Sequence, residues 1–191
     1  MLPLSRPRVI DQSKILRAAE VVVMRDGAAR LTLDAVALEA GISKASVIYD
    51  YGTKQALIKA VIERRIKAEE DKVEQAVQGL GNIADVRIRG RIAATAEAPA
   101  GDAQSVALNL CAALAQDAEL RCLLQESYSR ELAAIAQTSS QPRSALLAFL
   151  ALEGLRSLEF LSIHSWPEPE RSQILQEIGA LVAPSSQASA L

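Results

Sequence analysis

Few side chains in this 191-residue sequence are spaced for acid–base or metal chemistry. His164 is the only histidine, and Cys111 and Cys122 form neither a C-x-x-C pair nor a cluster with it, so no cofactor or metal is expected. Without a glycine-rich phosphate loop, a nucleophile elbow or a paired-carboxylate motif, an enzyme is not expected either. The residues that stand out lie between Leu31 and Tyr51, where a short apolar-faced segment, a turn at Gly41 and a second short segment follow one another. This is a helix-turn-helix layout. Leu33, Val36 and Ala37 give the first helix its apolar face, Ile42 plugs the turn, and Val47 with Tyr51, four residues on, gives the second helix its inward face. At 100° per residue, Ala45 and Tyr49 fall about 160° and 200° from Val47, flanked by Ser46 and Ile48. Small and hydroxyl groups beside a tyrosine and an isoleucine suit an element that enters a DNA major groove and meets thymine methyls or phosphates.

The elements that must position these residues are all helical. Half the residues are apolar but only 3% are aromatic, so the core is built from Ala, Leu, Ile and Val, a composition that excludes a β-sandwich. Periodicity and caps predict helices over 13–25, 33–40, 43–49, 54–78, 83–97, 102–116, 117–137, 142–165 and 167–182. Thr32 and Ser43 are natural N-caps, and Gly27 and Gly41 natural C-caps. The most hydrophobic stretch, 145–163, carries Glu153, Arg156 and Glu159; three charges near the middle of a span are costly in lipid, so a buried helix and no membrane partner are expected. The N-terminus Met1–Arg8 lacks the apolar core of a signal peptide, and two cysteines make no disulfide framework. A cytoplasmic setting is expected.

The formal net charge of −2 hides an asymmetry. Residues 1–67 hold 12 Lys/Arg against 7 Asp/Glu, or +5, and residues 68–191 hold 9 against 16, or −7. A basic end carrying the helix-turn-helix and an acidic remainder point to a nucleic-acid-binding end joined to something else. In the leader, Arg6 and Arg8 suit either a minor-groove arm or a solvated segment.

From Ser13 to Arg65 the chain resembles the tetracycline-repressor (TetR/AcrR) family of bacterial transcription regulators. The resemblance rests on Gly27, Thr32, Val36-Ala37, Gly41-Ile42-Ser43-Lys44 and Thr53-Lys54-Gln55-Ala56-Leu57, which follow the family's order and spacing. It implies a three-helix DNA-binding domain over 1–53, a helical effector-binding and dimerisation domain over 54–183, and a flexible tail over 184–191. It also implies a homodimeric repressor that binds a palindromic double-stranded DNA operator and is released by a small molecule. By position, Thr32, Ser43, Lys44 and Lys54 look like phosphate contacts, aided by the free N–H groups at two helix N-termini, while Ala45, Ser46, Ile48 and Tyr49 look like the base-reading surface. The chain departs from the family where Leu-Tyr-x-His/Tyr-Phe is usual and Val47-Ile48-Tyr49-Asp50-Tyr51 stands instead. A carboxylate beside a phosphate is repulsive. Tyr49 takes over the phosphate role, or Asp50 pairs with Lys54 four residues on for about 0.3 kcal/mol, or Asp50 accepts from a cytosine amino group.

In the second half, Leu147, Leu150, Gly154, Leu158 and Leu161 form one stripe, and Ile174, Leu175, Ile178, Leu181 and Val182 another. By the resemblance, helices about 143–165 and 167–182 make a four-helix dimer interface; ordinary packing within one chain is the alternative. Dimerisation has its own rationale, since two recognition helices about 34–36 Å apart read a palindrome that one cannot discriminate. With so few aromatics, an effector cavity among the middle helices is expected to be lined by Leu, Val, Ala and the two thiols, which suits a small apolar or acyl-like effector. Arg121 and Arg130 either hold an anionic head group or form a solvated face with Glu119, Glu126 and Glu131. The thiols are expected to be buried, and His164 to serve at a helix end. The competing function is a helical small-molecule carrier or protein-interaction module with an unused helix-turn-helix. Salt-dependent DNA affinity separates the two.

Overall fold

The computed structural model describes residues 11–99 and 101–183, so Arg6, Arg8 and the tail 184–191 lie outside the described residues. Among these, the chain forms α1 (Gln12–Asp26), a 3-10 turn (Ala28–Arg30), α2 (Leu33–Ala40), α3 (Lys44–Tyr51), α4 (Lys54–Leu80), α5 (Val86–Ala94), α6 (Gly101–Gln116), α7 (Ala118–Thr138), α8 (Pro142–Phe160) and α9 (Glu168–Ala180). The all-helical class expected from composition is the one observed.

Caps set the first four helices. The side chains of Asp11, Thr32, Ser43 and Thr53 accept from the backbone N–H groups of Ser13, Ala35, Ser46 and Ala56, satisfying donors that have no partner within the helix. Gly41 ends α2 at φ 61°, a left-handed conformation that a Cβ disfavours. The resulting turn holds α2 and α3 against α1 through a core of Ile15, Val22, Val36, Val47 and Val61, each fully buried. That core does not stop at residue 53: Leu57, Ile58 and Ile62 of α4, Val106 and Leu110 of α6 and Leu120 of α7 complete it.

A second core joins Ile88 of α5 and Ile135 of α7 to Ala148, Phe149, Leu152 and Leu155 of α8 and Leu175 and Ile178 of α9. Gly90 lets α5 lie close on α4: a Cβ there would sit 3.1 Å from the backbone nitrogen of Val77 and closer still to its side chain. Gly90→Ala is therefore expected to destabilise the protein by about 1–3 kcal/mol through overpacking, despite alanine's better helix propensity. A urea midpoint equal to or above that of the natural chain contradicts this.

Several helix ends differ from the periodicity, the two ends of α5 because of ties from distant sequence and the end of α8 because of a local turn. Helix α5 begins at Val86, three residues late, because Asp85 takes φ 59° and its buried carboxylate accepts from the backbone N–H and hydroxyl of Ser140 at 2.8 and 3.0 Å. It ends at Ala94 because the carbonyls of Thr95, Ala96 and Glu97 turn to the guanidinium of Arg171, at 2.8, 2.6 and 3.5 Å. Helix α8 stops at Phe160, short of 165: Ser162 adopts φ 54°, and the N–H groups of Ile163 and His164 both return to the Leu158 carbonyl. No glycine or proline marks that stop.

Candidate nucleic-acid interface

Helix α3 presents the arrangement that the wheel predicts. Val47 is fully buried, Tyr51 is half-buried against the first core, and Tyr49 is 90% exposed. Ala45 and Ile48 are exposed and Ser46 is half-buried, so these four side chains and their backbone form the outer surface of α3. Leu38 of α2 is 84% exposed and was not singled out by the motif. Its position two residues after Val36, on the opposite face of α2, is the signal that could have found it.

The candidate phosphate contacts sit around this surface, already engaged within the chain. Thr32 and Ser43 accept from their own helices as caps, and Ser43 also shares a hydrogen bond with the Ser46 hydroxyl at 2.8 Å. Lys44 pairs with Asp34 at 2.8 Å, with both side chains more than half exposed. Such a pair is worth little in water and leaves the ammonium able to exchange partners. Lys54 does not turn to Asp50. Its ammonium donates to the Ala29 carbonyl at the 3-10 turn, tying α4 to the segment before α2. Asp50 is half-buried and makes no ion pair among the described residues. Burial pushes the Tyr51 hydroxyl above its ordinary range, and the Asp50 charge beside it adds to that shift.

Behind this unit, the space between α4, α5, α7 and α8 does not hold the aliphatic cavity expected from composition. Ion pairs fill it instead. Arg87 bridges Glu74 and Glu131; Arg91 bridges Glu131 at 3.7 Å and Glu153 at 2.7 Å; Arg156 lies 2.6 Å from Glu69. The last contact lies off the line of a hydrogen bond, so it is an ion pair only. Tyr128 donates to Glu153 at 2.7 Å, and burial with that carboxylate beside it pushes its hydroxyl up to about 12. Burial alone would raise Glu153, but Arg156 and Arg91 hold it below its ordinary value. These pairs join residues far apart in sequence, Arg156 and Glu69 being the most distant, which is why separate helices show only solvated faces.

The thiols are not buried as expected: Cys111 and Cys122 are both exposed, because the cores take Val106, Leu110 and Leu120 from their helices instead. Arg121 caps the Leu114 and Ala115 carbonyls at the end of α6, and Arg130 pairs with Glu70 at 2.9 Å, so both have structural partners. His164 packs edge-on against Trp166 after the end of α8. A cavity of about 500 Å³ lies to one side of the ion pairs. Its walls come from α1, α4, α5, α6, α8 and α9, and nine of its sixteen lining residues are charged.

Comparison with known proteins agrees with this geometry. A family model described as the tetracyclin repressor-like C-terminal domain matches residues 86–183, and one described as bacterial regulatory proteins of the tetR family matches residues 15–61. No curated protein matches the chain. Among solved structures, the multidrug binding protein EbrR complexed with imidazole is 24% identical, with a TM-score of 0.68 and coverage of 97% of this chain and 100% of that one. A member of the TetR family from Streptomyces coelicolor A3 is 18% identical at TM-score 0.68, covering 91% and 98%. A Saccharomonospora viridis protein solved with choline is 22% identical at TM-score 0.66, covering 87% and 93%. These three share the fold. No helix among the described residues is long and apolar enough to cross a membrane. With one family model over the helix-turn-helix and another over the helical remainder, the chain belongs to the tetracycline-repressor (TetR) family and is a DNA-binding transcription regulator, not an enzyme.

Proposed function

We propose that the protein is a ligand-released repressor that binds a palindromic operator as a homodimer. The observation that carries the DNA reading is the outer face of α3, where Tyr49 stays 90% exposed on a helix anchored by a fully buried Val47. Ala45, Ser46, Ile48 and Tyr49 read base edges, and Thr32, Ser43, Lys44 and Lys54 hold phosphates. For the two lysines this means exchanging Asp34 and the Ala29 carbonyl for phosphate oxygens.

The dimer reading rests on α8. Leu147, Leu150, Leu158 and Leu161 are 49%, 56%, 37% and 36% exposed, and all fall on one side of the helix with Gly154 at its centre. Beyond the backbone of its own helix, nothing among the described residues lies within 4 Å of where a Cβ at Gly154 would be, so their packing gives no reason for this mid-helix glycine. Close approach of a second α8 does. The expectation for the last helix changes: Ile174, Leu175, Ile178 and Val182 pack against the second core, because α9 must cover Ile88 and α8, and only Leu181 of that stripe remains exposed. Helix α9 then offers a partner mainly polar side chains such as Gln173 and Glu177. A small-molecule effector is in keeping with the ligand complexes of two structural relatives, EbrR with imidazole and the Saccharomonospora viridis protein with choline.

Selection of binding sites from random duplexes tests the DNA reading. The purified protein is expected to enrich one palindrome, and enrichment of none at low salt contradicts the proposal. On that palindrome, Lys44→Ala is expected to weaken all sequence variants about equally and to flatten the salt slope by about 1 for each lysine lost. Tyr49→Ala is expected to relax preference at one base pair by about 1–3 kcal/mol with the melting temperature unchanged. If Tyr49→Ala unfolds the protein, the outward placement of that side chain is wrong.

A further inference from the structure

The cavity of about 500 Å³ lies within the size range of small-molecule sites. Five cations and four carboxylates line it: Arg64, Arg65, Lys72, Arg156 and Arg171 against Glu20, Glu69, Glu97 and Glu159. Most are matched. Arg171 and Glu159 form a fully buried pair, Arg156 sits on Glu69, and Arg64 lies 3.9 Å from Glu20. Among the described residues Arg65, Lys72 and Glu97 make no ion pair. Arg65 is half-buried, with a single long contact of 3.4 Å to the Ala103 carbonyl, whereas Lys72 and Glu97 are exposed. Arg65 and Lys72 stand seven residues apart on α4 and share one face. Apolar groups, including Ala94, Pro99, Ala103 and Phe160, complete the lining.

We infer that this cavity binds a small carboxylic acid with a compact apolar body. Its carboxylate rests on Arg65, Lys72 steers it at the mouth, and its body lies against Phe160 and the alanines. The inference rests on the effector reading above and names the class of that effector. An anion is favoured because the unmatched cations outnumber the unmatched carboxylate and because the inner, less hydrated position is a guanidinium, which suits carboxylate geometry. The site also touches the DNA-binding unit. Arg64, next to Arg65 in the same wall, donates to the Ser13 carbonyl of α1 at 3.1 Å and lies 3.9 Å from Glu20, so an anion on Arg65 sits beside ties that hold α1 to α4.

Calorimetric titration of the full-length protein with hexanoate, phenylacetate and 3-phenylpropionate, each beside its neutral amide and its primary amine, tests this. At least one acid is expected to bind about tenfold or more tightly than both its amide and its amine. Arg65→Gln is expected to weaken that acid about tenfold, and Lys72→Gln to weaken it less, with melting temperatures unchanged. The site assignment is overturned if no acid binds below about 10 mM, if an amine or amide binds as well as its acid, or if Arg65→Gln leaves acid affinity intact. Operator affinity measured with and without the acid separates the two readings. Acid binding that leaves operator affinity unchanged sustains the site and contradicts the effector role. Operator release by another compound, with no acid binding, does the reverse.

Discussion

Arg171→Met is expected to destabilise the protein by about 3–5 kcal/mol, the range found when one member of a buried ion pair is removed. Arg171 is 1% exposed, and its guanidinium donates to both oxygens of Glu159, itself 3% exposed, and to the carbonyls of Thr95, Ala96 and Glu97. Methionine matches the stem but supplies no donor. Glu159 would be left charged without a partner, and three carbonyls after α5 would lose their bonds. In a chain of this length each kcal/mol moves the melting temperature by about 2–4 °C, so a fall of about 10 °C is expected. The double variant Arg171→Met with Glu159→Leu is expected to recover part of the loss, because no charge is then left unpaired. A fall of less than about 2 °C in the single variant contradicts the account of the pair.

Leu150→Glu is expected to act on assembly with little effect on the fold. Leu150 is 56% exposed in the single chain, so a carboxylate there meets water and the two cores are untouched. In a dimer through α8 the same carboxylate meets its symmetry mate across an apolar face, and like charges taken out of water cost several kcal/mol. Sedimentation is expected to show a dimer for the natural chain and a monomer for the variant, both with the same helical content. Operator affinity then falls by about 10²–10⁴-fold, the usual loss when two linked half-site contacts become one. A variant that remains dimeric contradicts the α8 interface. A natural chain that is monomeric at micromolar concentration contradicts it too.

The starts of α2, α3 and α4 and the ends of α1 and α2 are legible because they are local: Thr32, Ser43 and Thr53 cap from their own side chains, and Gly27 and Gly41 end the helices that precede them, whereas α3 runs two residues past the expected Tyr49 to the cap at Gly52. The outward face of α3 followed from the buried Val47 by helix geometry alone. Legibility declined where an element's limit or face is set from elsewhere. Asp85 reaches Ser140 and Arg171 reaches the end of α5, and neither pairing leaves a mark in the local pattern. The aliphatic cavity expected from composition gives way to ion pairs for the same reason, since Arg87, Glu131, Arg91 and Glu153 each look solvated on their own helix and meet only when the helices pack. Asp50 remains the exception inside the basic half. Of the three readings open for Asp50, the pairing with Lys54 is absent because the Ala29 carbonyl lies within that lysine's reach.

The central claim is that this chain grips DNA through phosphates around α3, and the salt dependence of operator affinity tests it most directly. Two subunits present four lysines at Lys44 and Lys54, so the slope of log K against log salt on the selected palindrome is expected to be about −3 or steeper. A slope near zero, as for association through apolar surfaces, would contradict the account.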